Sequence, residues 1–217
     1  MMFYPVGGIG EFMKGFLLAI GLLFAVPCAA VATPEEAKAL VQSTADKVIE
    51  RVRAEREVLR ANRAQLYGLV NELVVPHFDF GRIARWVLGK HWPTANAEQR
   101  QRFTDEFKKL MVRTYATVLL EYVDQEIRYL PLNADPNAER VIVRTEIAAP
   151  GGGAPLPVNY RLHARDNEWK VYDISVDGIS LLSTYRSSFA ADIQKLGLDG
   201  LISQLAQKDT PVQTQKR

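Results

Sequence analysis

Apolar residues recur at helical spacing through the first half of the chain and alternate through the second. From Pro34, the positions Ala37, Leu40, Val41, Val48 and Val52 share one face. The opposite face is charged, most densely in 50-ERVRAERE-57. Thr33 stands at an N-cap, with Pro34 at the first helical position and Glu35 and Glu36 in the first turn. A second helical period, Leu66, Leu69, Val70 and Leu73, ends near Pro76. A third runs through Phe80, Ile83, Ala84, Val87 and Leu88, between Asp79 as N-cap and Gly89 just past the C-terminus. Asn96 followed by Gln99 is a capping box that opens a long helix to about Tyr122. Its inner face carries Phe103, Phe107, Leu110, Met111, Tyr115, Val118, Leu119 and Tyr122.

After Asp124 the period changes to two, giving strand-like runs at 126–130, 139–148, 156–164 and 168–176. The turn-rich links 133-NADPN-137, 149-APGGGAP-155 and 165-RDN-167 predict an antiparallel meander. By alternation, Val141, Val143, Thr145, Ile147, Val158, Tyr160, Leu162, Tyr172, Ile174 and Val176 point one way. Arg140, Arg144, Arg161, His163, Arg165 and Lys170 take the other parity or lie at strand ends. Two helices, about 180–196 and 199–207, close the chain. The predicted class is α+β: a curled four-stranded antiparallel sheet, packed on one face by several helices, with an apolar cavity between the layers.

The chain has 217 residues, a formal net charge of +2 and one cysteine. Lys14, the apolar run 16-FLLAIGLLFAV-26, Pro27 and 30-AVA-32 have the layout of a signal peptide cut after Ala32. The run is too short to span a bilayer, and Met13 is a candidate true start. Val26 and Pro27 ahead of Cys28 do not fit a lipoprotein signal, so the cysteine leaves with the leader. The mature chain then holds no disulfide, and the expected compartment is a bacterial periplasm. A single domain over 33–208 and a flexible tail over 209–217 are expected. Loss of Glu11 and Lys14 leaves the charge at +2, which is no nucleic-acid footprint.

Candidate chemistry is sparse. His77, His91 and His163 are far apart, with no zinc-type spacing. Ser180 in 177-DGIS-180 reads as the cap of the next helix, and 151-GGG-153 lies in a hairpin that opens no helix. His77 and Asp79 have the residue types of a base and its orienter, but the simpler reading is a turn residue and a helix cap. A concentration of aromatic and aliphatic residues beside so little catalytic equipment points to an apolar ligand.

Several segments together resemble the MlaC family of periplasmic phospholipid-binding proteins, also called toluene-tolerance proteins. They are 76-PHFDFGRIARWVLGKHW-92, 98-EQRQRFTDEFKKLMVRTYATVLLEY-122, 158-VNYRL-162, 169-WKVYDISVDGISLLSTYRSSF-189 and 197-GLDGLISQL-205. The resemblance implies a soluble, non-enzymatic carrier between an inner-membrane Mla ABC transporter complex and an outer-membrane lipoprotein–porin complex, maintaining lipid asymmetry. It implies bound diacyl phospholipid, two phospholipids or a cardiolipin included, and no other cofactor, metal or nucleic acid. A diacyl phospholipid carries roughly 30 methylenes at about 0.8 kcal/mol each, on the order of 20 kcal/mol against free diffusion in water. A carrier must therefore offer a cavity nearly as apolar as a bilayer. Period and parity place Phe78, Trp86, Phe103, Phe107, Met111, Leu119, Val143, Ile147, Tyr160, Leu162, Tyr172, Ile174, Val176 and Leu181 as its expected wall. Two other readings stand beside it: a cavity enzyme using His77 or Asp79, and a ligand-free adaptor between membrane complexes.

Overall fold

The computed structural model describes residues 32–149 and 151–207. The leader ahead of Ala32 and the tail at 209–217 lie outside the described residues. Helix α1 spans Pro34–Ala54, and the Thr33 backbone N–H donates to the Glu36 carboxylate at 2.7 Å. The charged run read as its continuation breaks at Glu55 into α2, Arg56–Ala61. Asn62 then caps α3, Arg63–Leu73, accepting from the amides of Ala64 and Gln65. A 3-10 turn at Val75–His77 leads to α4, Phe80–Leu88, and a second at Gly89–His91 follows it. Gly89 takes a φ of 51°, in the region where glycine is tolerated best. The capping box of α5, Ala97–Tyr122, forms as expected: the Gln99 amide donates to Asn96 at 2.8 Å and the Asn96 amide to Gln99 at 3.1 Å. Among the described residues, no helix is long and apolar enough to cross a membrane.

The sheet is an antiparallel meander of five strands: β1 Ile127–Tyr129, β2 Arg140–Ile147, β3 Leu156–Arg165, β4 Glu168–Val176 and β5 Ile179–Ser180. The fifth strand corrects the count of four. Asp177 and Gly178 both have positive φ and close a two-residue hairpin, which folds Ile179 and Ser180 back onto Val176 and Ser175. Ser180 also caps the next helix as expected, its hydroxyl accepting from the Ser183 amide at 3.1 Å. That helix, α6, spans Leu181–Gln207 and turns at Gly197. The two closing helices read from sequence are thus real but joined without a loop. A Cβ at residue 197 meets nothing within 4 Å, so Gly197→Ala carries only the backbone cost of its φ of 69°. With ψ at 173° this is a region almost confined to glycine, and we expect a loss of about 1–3 kcal/mol by urea denaturation.

One register feature overturns part of the face assignment. Val141, Val143 and Thr145 pair with Leu162, Tyr160 and Val158, and Tyr160 pairs with Ile174, so these share a face as expected. Between Arg161 and Leu162 the pairing slips: Arg161 faces Asp173, but Leu162 faces Val171. The bulge reverses parity along β4. Trp169 and Val171 join the face of Leu162, and Tyr172 passes to the other, where its ring lies 5.7 Å from His163.

The expectation put helices on one sheet face, but both are packed. α1 covers Val141, Val143, Leu162, Trp169 and Val171. α4 and the start of α6 cover the face of Tyr172, His163 and Asp173. Two further clusters complete the core. One joins α4, the first half of α5 and α6 around Phe103, Phe107 and Phe189. The other joins α1, α2, α3 and the second half of α5.

Candidate functional site

Among the described residues, Asp79 is a buried carboxylate that meets three partners. Its Oδ1 accepts from the Arg82 amide at 2.9 Å, which is the cap foreseen from sequence. Its Oδ2 meets His163 Nε2 at 3.1 Å and accepts from Arg165 at 3.2 Å. The Asp79 amide donates to the Val171 carbonyl at 3.0 Å. One residue therefore clamps the start of α4 to β3 and β4. Burial pushes the Asp79 carboxyl up, but the Arg82 amide and the Arg165 guanidinium outweigh it and hold it below the usual carboxylate range. Burial and the Arg82 charge push the buried His163 below its ordinary value, against the pull of Asp79.

The simpler reading of His77 as a turn residue and Asp79 as a helix cap holds, and the histidine that Asp79 meets is His163. His77 sits in the 3-10 turn, where burial, Lys170 and Lys47 lower its pKa. It borders an open cleft of about 520 Å³ shared with Glu36, Leu40, Glu168, Trp169 and Lys170. Those charges make the cleft a poor place for acyl chains. Among the described residues, no group of three or more His, Cys, Asp or Glu side chains comes together as a metal site.

Both histidines and Asp79 bind fewer protons folded than unfolded, so stability falls as pH falls. The histidine part sets in near 6.5 and the Asp79 part below 3.8, their ordinary values. We expect the melting temperature to drop between about pH 7.5 and 5.5, and His163→Gln to flatten that slope. A wild-type melting temperature constant over that range would contradict the assignment.

The fourteen expected wall residues divide by exposure. Phe103, Phe107, Val143 and Leu162 have almost no accessible surface. The two phenylalanine rings stack at 5.7 Å and meet Phe189 edge-on. These four are packing residues of the closed core. Phe78, Met111, Leu119, Ile147, Tyr160, Ile174, Val176 and Leu181 are half-buried. So is Tyr172, on the opposite sheet face. Trp86 departs from the expectation altogether. It stands 41% exposed on the outer side of α4, away from buried Ile83, Ala84, Val87 and Leu88.

The half-buried residues have a spatial logic. α1 seals one end of its sheet face, over Val141, Leu162, Trp169 and Val171. At the other end, Ile147, Tyr160, Ile174 and Val176 keep accessible surface. Burial nevertheless pushes the Tyr160 phenol up and raises Tyr129 to about 12. Tyr160 keeps accessible surface at the end of the sheet face that α1 leaves uncovered. The second half of α5 carries its own open stripe between its two packed faces: Met111, Tyr115, Val118 and Tyr122, at helical spacing. Burial raises the Tyr115 phenol, and Tyr185 of α6 lies beside it. Sequence reasoning placed Tyr115 on this face but left it off the wall, and it missed Tyr185.

The family model described as "MlaC protein" matches residues 42–207. The chain belongs to the MlaC family. This MlaC-family chain is 33% identical over 181 residues to the toluene tolerance protein ttg2D of Pseudomonas putida, covering 82% of each. It is 27% identical over 170 residues to the intermembrane phospholipid transport system binding protein MlaC of Haemophilus influenzae, covering 77% of this chain and 79% of that one. A solved structure of a phospholipid-binding protein from Ralstonia solanacearum, in complex with a phospholipid, superposes with a TM-score of 0.72 at 33% identity. That match covers 82% of this chain and 96% of the Ralstonia chain. The family and the α+β fold expected from the quoted segments are both confirmed.

Proposed function

We propose that this MlaC-family chain is an exported periplasmic carrier of diacyl phospholipid. The observation that carries the reading is the Ralstonia relative, which shares its fold at 33% identity and holds a phospholipid. The acyl chains occupy a recess bordered by Ile147, Tyr160, Ile174 and Val176 of the sheet, with Met111, Tyr115 and Leu119 of α5 and Leu181 of α6 contributing. Half-buried apolar side chains suit this task. They keep part of their surface free to meet methylenes while the rest is packed, so little fully exposed apolar surface is created on release.

The carrier meets an inner-membrane Mla ABC complex and an outer-membrane lipoprotein–porin complex, and ATP used by the former sets the direction. No catalytic role falls to His77 or Asp79 in this account. Asp79 is a structural clamp, so Asp79→Asn should leave lipid content intact in whatever fraction of the protein stays folded. The test is complementation in a host lacking its own MlaC-family carrier. Wild-type protein restores resistance to detergent, and a variant with a blocked recess does not. Equal rescue by both would count against the recess.

A further inference from the structure

We propose that the outer face of α4 and α6, centred on Trp86 and Arg186, docks on the anionic headgroups of a phospholipid bilayer. Trp86 is 41% exposed, and the Arg186 guanidinium lies 5.0 Å from the centre of its ring. Gly89 makes room for this arrangement: a Cβ there would come within 3.0 Å of Arg186 Nη2. Arg85 and Lys90 are exposed beside them. No Asp or Glu occurs from Phe80 to Ala97, or from Gly178 to Ala191. Among the described residues, Arg85, Lys90 and Arg186 enter no ion pair, whereas Arg51, Arg60, Arg102, Lys108 and Lys109 are each paired with an acid three or four residues away.

Helix electrostatics explains part of the patch. Arg85 and Lys90 lie at the C-terminal end of α4, where cations are favoured. It does not explain Arg186, which comes from the second turn of α6, or an indole left in water. A single exposed tryptophan is also too little apolar surface for the core of a stable protein interface. An indole ringed by unpaired cations fits the headgroup layer, where the ring sits at the apolar boundary and the cations meet phosphates. The proposal rests on the carrier reading for its purpose, since a carrier works between bilayers, and on the patch alone for its evidence.

The test is co-sedimentation of the full mature protein with phosphatidylethanolamine vesicles, with and without phosphatidylglycerol, at low and high salt. Wild type is expected to bind only the vesicles containing phosphatidylglycerol, and to release at high salt. Trp86→Ala and the double variant Arg85→Glu/Arg186→Glu should lose that binding, the latter by more than about tenfold. Both should keep the wild-type melting curve and phospholipid content, the residues being on the surface. Trp86→Phe should restore part of the binding lost in Trp86→Ala. Equal binding to both vesicle types, or variants that bind like wild type, would overturn the proposal. Binding lost only to detergent-solubilised membrane complexes, with vesicle binding unchanged, would also overturn it, and would assign the patch to an acidic protein. A wild type without lipid that still binds vesicles would sink the carrier reading and leave the patch standing.

Discussion

Tryptophan in place of Val176 or Ile174 should empty the protein of phospholipid while leaving it folded. Both residues lie at the open end of the sheet face, half-buried, on the strand that pairs with Tyr160 and Val158. Each keeps accessible surface, so a larger ring has space that a closed core would deny it. That space is the one the acyl chains need. If the indole displaces even ten methylenes from contact, the lost transfer energy is on the order of 8 kcal/mol, far more than a carrier has to spare above the bilayer. The phospholipid recovered per protein should fall more than about tenfold, with a melting temperature close to that of the empty wild type. Val143→Trp is the control. Val143 is 1% exposed beneath α1, so the ring there should unfold the protein and leave no selective lipid defect. Full phospholipid content in Val176→Trp and Ile174→Trp would place the acyl chains elsewhere.

Asp79→Ala should be the most destabilising single change at the polar clamp. It removes the α4 cap, leaves His163 buried without its partner, and frees Arg165. Leaving the buried His163 ring without its hydrogen-bond partner costs about 2–3 kcal/mol, and losing a cap about 1 kcal/mol. Arg165 is largely exposed and adds little through charge. We expect a total near 3–4 kcal/mol by urea denaturation, with an unchanged slope. Asp79→Asn keeps an oxygen for the Arg82 amide and should lose roughly half of that. Equal losses for the two variants would mean that the His163–Arg165 cluster, and not the cap, carries the effect.

Local signals in the sequence reported well. The capping box at Asn96, the caps at Asp79 and Ser180, and the glycine past the helix end at Gly89 each follow from one residue and its near neighbours. Long-range pairing was harder to read. Asp79 and His163 are 84 positions apart, and only the docking of α4 on β3 joins them. The bulge was invisible because it exists in the register between two strands, not along either. It alone sends Tyr172 to the far face. Two misses had a usable signal. Ile83, Ala84, Val87 and Leu88 form a narrow apolar stripe, and Trp86 falls off it at 100° per residue. Val176-Asp-Gly-Ile179 is a two-residue hairpin signal, so β5 was legible in the same residues that were read only as the approach to a cap. The proposed lipid recess was the least legible part. Periodicity separates inside from outside, but it does not separate a closed core at Phe103 and Leu162 from an open one at Tyr160 and Val176.

The most direct test is native mass spectrometry on protein expressed with its leader and purified from periplasm without detergent. The account predicts the mass of Thr33–Arg217 plus an excess matching phospholipid, released by organic solvent. The size of that excess distinguishes one diacyl lipid from two or from a cardiolipin. A bare polypeptide mass under conditions that keep the protein folded would contradict the carrier.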